Sequence, residues 1–302
     1  MEAEKRPEFK RREQKAPEVF IRETTEPNEE GQAVLDSLDY DTMTNLLSEE
    51  AGRSSIPADQ SKKFPIENIR FNKPGMTILS AEEFGTYSVK ENLIGINFEK
   101  IKKTYGKDTP LAMIKIVMHE LIHGTAKTST TVKNERETKY EMGYNKVSIR
   151  TDMDNISLYQ EFNEIVTETM AIEMARDYAK RTGITKEYAA FEKKYGPGYE
   201  WIMGALPKIT KKIADAVGVE QKRVWEAIKQ GAFAGSNLND KDIQKSLTEI
   251  FPEDFMDQLA LNEVETVMEK LSPNKNKWKE LLGFFLRKGL WKAKIKDFGH
   301  QT

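Results

Sequence analysis

The chain contains no cysteine, which removes disulfides, thiolate nucleophiles and thiolate metal ligands together. Histidine is nearly as scarce, with three residues in 302. Any metal held here must rest on those few imidazoles and on carboxylates. Neither sign of charge dominates: 47 Lys and Arg stand against 49 Asp and Glu, a formal net charge of −2. No global field therefore draws the chain to nucleic acid or to an anionic membrane. No apolar run reaches membrane-spanning length, and Met1-Glu2-Ala3-Glu4-Lys5-Arg6 has no hydrophobic leader core. With a mean hydropathy of −0.65, the expectation is a soluble, cytoplasmic protein of one large domain or two small ones.

Against that scarcity, two of the three histidines share one helical turn, His119-Glu120-Leu121-Ile122-His123. A helix rises about 1.5 Å and turns about 100° per residue, so the pair lies on one face, roughly 6 Å apart along the axis. Both imidazoles can reach one ion, and Glu120 is rotated to touch a water bound to it. This is the spacing of a zinc hydrolase motif, and it requires a third ligand. Asp108-Thr109-Pro110 opens the helix with a cap and a first-turn proline. Leu111, Ile114, Val117, Met118, Leu121 and Ile122 make it a core element, and Gly124 is placed to end it.

Residues 1–60 read as a largely disordered N-terminal arm. A short helix within it is marked by Val34, Leu35, Leu38, Met43, Leu46 and Leu47, with Asp41 and Gly52 as punctuation. From 61 to 183 the pattern is that of a catalytic core. Short runs at Ile66–Phe71, Met76–Leu79, Gly85–Val89 and Leu93–Phe98 predict a small antiparallel sheet. The last run, with Gly95, would suit an edge strand that holds an extended peptide. Residues 125–156 read as a long polar loop bordering the site. Ser157-Leu158-Tyr159-Gln160 predicts a capping box for a second helix, which stops at Gly183. Glu164 and Glu168 sit one turn apart on it, in core-like sequence where carboxylates need partners. Residues 184–302 read as a helical subdomain, with an interruption or kink at Pro207 and further helices around Trp201, Trp225, Phe255 and Trp278. The fold class expected is α+β: a small sheet packed on the motif helix, then a mostly α-helical half.

A motif helix with His119-Glu120-x-x-His123, followed by Asn163-Glu164-Ile165-Val166-Thr167-Glu168, resembles the gluzincin group of thermolysin-like zinc peptidases. The resemblance covers residues 85 to about 180. It implies Zn2+ as cofactor, a peptide or protein substrate, and Glu120 as general base. It also implies Glu164 as the third ligand, beside His119 and His123, and Glu168 as the carboxylate orienting a histidine, His119 in particular. The metzincin pattern needs a histidine six residues after His123, where this chain has Ser129. Members of the group often steady the oxyanion with a further histidine. Only His300 is left here, so a tyrosine is expected instead: Tyr144 or Tyr140, with Tyr159 and Tyr199 also considered.

Two other readings belong beside this one. Residues 213–230, with Gly218 and Val224 in helix-turn-helix spacing and Lys222 and Arg223 basic, resemble a DNA-binding unit of a regulatory protein. Glu220, Glu226 and the net negative charge oppose it, because DNA affinity comes largely from phosphate neutralisation. A metal-stabilised helical scaffold without activity is the other.

Overall fold

The computed structural model describes residues 28–53, 64–71, 83–89, 91–126, 128–134, 137–150, 156–158, 160–196 and 205–234. The charged tail before Asn28, the Met76–Leu79 run, Tyr159, Tyr199, Trp201 and everything after Ala234, His300 included, lie outside the described residues. What is described is α+β and mostly helical. No helix in it is long and apolar enough to cross a membrane.

Helix α4 (Thr109–Thr125) is the axis, and the numbering of the elements around it follows chain order. Ala112, Met113, Ile114, Ile116, Val117, Met118, Leu121 and Ile122 are all buried, so the helix is apolar around most of its circumference, as a helix enclosed by neighbours must be. Its start differs from expectation in detail. Asp108 makes no side-chain cap; its carboxylate instead accepts from Lys194 at 2.7 Å and from the Tyr195 hydroxyl at 2.9 Å. Its end differs too. The helix runs through Gly124 and closes with Ala126 N–H donating to Ile122 O. Gly124 serves close packing: a Cβ there would stand 2.9 Å from the Phe64 ring.

The arm's helical stretch is two helices, α1 (Glu29–Asp36) and α2 (Tyr40–Arg53), broken at Ser37–Asp39. Asn28 caps the first through Gly31 N–H, and Asp39 caps the second through Thr42 N–H. Asp41 lies inside α2 rather than at its boundary. Leu35, Met43, Leu46, Leu47 and Ala51 join the main core.

Three strands, β1 (Ile69–Phe71), β2 (Gly85–Ser88) and β3 (Leu93–Ile96), form a sheet in the order β1-β3-β2. It is mixed, not antiparallel. A tight reversal before Leu93, with Asn92 at φ 49°, makes β2 and β3 antiparallel. β1 then lies on the far side of β3 instead of beside β2, so it runs parallel to β3. Leu93–Ile96 is consequently the central strand: Gly95 pairs with Arg70 on one side and Thr86 on the other. The edge beside α4, among the described residues, belongs to β2. The sequence at Phe98 leaves the strand for helix α3 (Phe98–Tyr105), capped by Asn97, whose side chain accepts from Lys100 N–H.

The expected polar loop is a second sheet. β4 (Thr128–Asn134), β5 (Glu137–Met142), β6 (Asn145–Arg150) and β7 (Ile156–Leu158) form an antiparallel meander in sequence order. A strand with polar residues on both faces gives no hydrophobic alternation to detect. The signals were β-branched richness (Thr128-Ser129-Thr130-Thr131-Val132) and the Gly143 turn at φ 55°. Ser157 belongs to β7, paired with Val147, and not to the start of helix α5; its side chain is outside the description.

Helix α5 (Gln160–Arg181) packs along α4, the most extensive helix pairing in the fold. It stops as expected: Gly183 takes φ 78° and Ile184 N–H reaches back to Ala179 O. Helices α6 (Thr185–Tyr195), α7 (Ala205–Val217) and α8 (Gln221–Ala234) follow. Pro207 falls in the first turn of α7, where no intrahelical N–H is required, and α7 runs on from it to Val217.

Candidate metal centre

Helices α4 and α5 meet along the faces that carry the chemistry. A repeat of four on α4 brings Lys115, His119 and His123 to one side, and the same repeat on α5 presents Glu164 and Glu168. Where the helices touch, one ligand atom each from His119, His123 and Glu164 lies within 4.8 Å of the others. The two Nε2 atoms are 3.1 Å apart. Glu164 Oε2 is 3.2 Å from His119 Nε2, and Oε1 is 3.5 Å from His123 Nε2. His123 is 6% exposed and His119 12%, while Glu164 keeps 37% of its side chain open at the mouth.

Behind this cluster lies a supporting layer. Glu168 Oε2 stands 2.9 Å from His119 Nδ1, and Glu168 Oε1 accepts from Lys115 Nζ at 2.6 Å. A proton is thereby held on Nδ1, and Nε2 of His119 is turned toward the cluster. Asn163, 2% exposed, accepts from Tyr144 N–H at 2.9 Å and sets its amide 3.5 Å from His123 Nδ1. No role was read for Asn163 or Lys115 in the sequence. The first could have been found as the residue preceding Glu164 in the quoted motif. The second could have been found as a lone charge in the apolar flank, one turn before His119.

The arrangement pulls positive charge inward. Burial works against charging His119, yet hydrogen bonds to Glu164 and Glu168 and the nearby carboxylates raise its pKa well above the usual imidazole value. Burial likewise pushes Glu164 up, but the charge of His123 and the hydrogen bonds of both histidines hold it below the ordinary carboxylate range. For Glu168, burial is outweighed by the His119 hydrogen bond and the Lys115 charge, and its pKa is lowered.

Glu120 is different. It is 5% exposed, and its carboxyl is raised to about 7, first by burial, with His119 and His123 lowering it and Glu164 and Glu83 raising it. The backbone of β2 makes room for it. A Cβ on Gly85 would stand 2.8 Å from Glu120 Oε1 and 2.9 Å from its Cγ.

The tyrosine candidates divide. Tyr144 is buried, its ring edge against Phe162 and its hydroxyl donating to Ile228 O at 2.8 Å. Gly231 is required beside it, since a Cβ there would lie 2.1 Å from the phenol oxygen. This phenol is committed to α8, and among the described residues no hydrogen bond links it to the histidines. Tyr140 lies on β5, paired in register with Thr130 and Val147; its side chain is outside the description.

The helix-turn-helix stretch is a real α7–α8 pair turning at Gly218, φ 74°. Val224 is fully buried and Lys222, Arg223 and Glu220 are exposed. No protein-family model matches the chain, and no curated protein or solved structure matches it either.

Proposed function

We propose that this protein is a zinc-dependent peptidase of gluzincin type. One observation carries the reading: His119, His123 and Glu164 converge their ligand atoms at one point, with the buried Glu120 beside them and Glu168 behind His119. The donor set fits the ion. His119 Nε2, His123 Nε2 and a Glu164 carboxylate oxygen crowd together; without metal a proton shared with Glu164 holds them, and a divalent cation would take that proton's place. Two imidazoles, one carboxylate and no thiolate form the three-ligand pattern of hydrolytic zinc.

Zn2+ bound there would supply Lewis acidity, polarising a carbonyl and lowering the pKa of a water to about 7. The remaining work falls to the chain. Glu120, poised at about 7, takes a proton from the attacking water and returns it to the leaving amine. Glu168 keeps His119 in the ligating tautomer. The substrate backbone, an extended peptide or protein segment, adds along the β2 edge, which borders Glu120. Tyr144 is engaged by α8, which leaves Tyr140, Tyr159 and Tyr199 as the tyrosine candidates for steadying the oxyanion.

Metal analysis and a peptide-library cleavage assay test the reading together. The wild type should carry one zinc and cleave. Glu164→Ala should lose the metal, and Glu120→Gln should keep it while cleavage drops about 10²–10⁴-fold, the usual reach of a general base. Undiminished turnover by Glu120→Gln, or full zinc occupancy in Glu164→Ala, would sink the assignment.

A further inference from the structure

Lys115 stands one turn before His119, on a helix whose buried positions from Ala112 to Met118 are all apolar. Its Nζ is 2.6 Å from Glu168 Oε1, with 14% of the lysine side chain and 4% of the glutamate's exposed. The other carboxylate oxygen faces His119 Nδ1 at 2.9 Å. A glutamate held by one oxygen can still rotate about its terminal bond and swing on its flexible stem. Held by both oxygens, it cannot. Burial sharpens the need. Among the described residues, the enclosed carboxylate without Lys115 would keep the His119 imidazole as its hydrogen-bond partner, and a poorly compensated buried charge is costly. Swinging toward water relieves that cost and withdraws the acceptor from Nδ1.

We propose that Lys115 is a positioning residue of the metal centre. Its ammonium locks the Glu168 carboxylate in the orientation that keeps the His119 proton on Nδ1 and its Nε2 lone pair on the metal. The inference rests on the metal reading above and adds to it a residue outside both sequence motifs. Lys115, His119 and His123 act as three rungs of one helix face, with Glu168 bridging the first two and Glu164 the last two.

The test is zinc affinity, measured by competition with a chromophoric chelator, alongside the thermal midpoint of each metal-free protein. Lys115→Met is expected to lose about 10–100-fold in affinity, the usual cost of removing an outer partner. Lys115→Arg, which keeps the ion pair, is expected to retain most of it. In a Glu168→Ala background the Lys115→Met change should cost nothing further, because the two residues act through one contact. A purely structural lysine would move the thermal midpoint and leave affinity alone. Lys115→Gln serves the same comparison if the methionine variant does not fold. Unchanged affinity in the neutral variants, or a loss that recurs in full without Glu168, overturns the inference and leaves the metal reading standing. A wild type that takes up no zinc overturns both.

Discussion

Helix α5 lends a carboxylate to a charge cluster in each half, Glu168 in the first and Glu173 in the second, and the two clusters are built on opposite plans. In the second half, Glu173 joins Glu50 of α2 and Glu226 of α8 around Lys229, which is 5% exposed. The ammonium lies 2.6 Å from Glu50, 3.1 Å from Glu226 and 3.7 Å from Glu173. Burial opposes its charge, but the hydrogen bond and charge of Glu50, then Glu226 and Glu173, raise its pKa. Arg53 backs Glu50, and the Trp225 indole donates to Glu173. Here the cation is part of the chain and sits at the centre, fastening α8 to α2 and α5. In the first half the lysine stands behind. Lys115 touches Glu168, and it is His119, His123 and Glu164 whose ligand atoms face a common point. The position of the lysine separates a lock from a receptor.

That contrast can be broken from either side. Lys229→Met should cause the largest loss of stability, at the low end of about 3–5 kcal/mol, because it removes the 2.6 Å partner of buried Glu50 while Glu173 and Glu226 are more than a third exposed. Chemical denaturation measures it, and the folded fraction should still bind zinc with wild-type affinity. A large drop in zinc affinity would mean that the clusters are one network.

The next effect is smaller and depends on pH. Glu120 is raised in the folded state from 4.5 to about 7. Its contribution to stability is therefore full below about pH 4.5 and lost as pH rises through 7. At about 1.4 kcal/mol per pH unit across that window, metal-free Glu120→Gln should exceed metal-free wild type by up to about 3 kcal/mol at pH 8. Near pH 4.5 that gap should have closed. Denaturation curves at the two pH values that show a constant gap would show that burial does not strain this carboxyl.

The smallest effect concerns room. Gly85→Ala places a methyl group against Glu120 and should cost about tenfold in cleavage rate, about 1.4 kcal/mol of barrier, with zinc content unchanged. An unaltered rate would mean that Glu120 shifts without consequence.

Much of this site was legible because helical spacing is a local property. His119 and His123, Glu164 and Glu168 could each be assigned to a shared face from their spacing alone, and their pairing across α4 and α5 followed from the motif resemblance. Sheet order was not legible, since β1 chooses its neighbour through contacts distant in sequence. That choice moved the usable edge from Leu93–Ile96 to Gly85–Ser88. The β4–β7 meander was missed because its polar strands lack the alternation that marks a half-buried sheet. The Tyr144 contact was not legible for a related reason: nothing near it in sequence shows that Ile228, 84 residues on, takes its hydroxyl.

Composition alone limits the ligands that a metal could find here. With no cysteine and three histidines, only an imidazole and carboxylate centre was open to it, and the four-residue spacings put each pair on one face. Tertiary structure decided which charges meet. Lys115 reaches Glu168 across 53 positions, and Lys229 reaches Glu50 from a different helix. Such pairings depend on helix packing, which is set by the whole apolar core and not by any residue's neighbours in the chain.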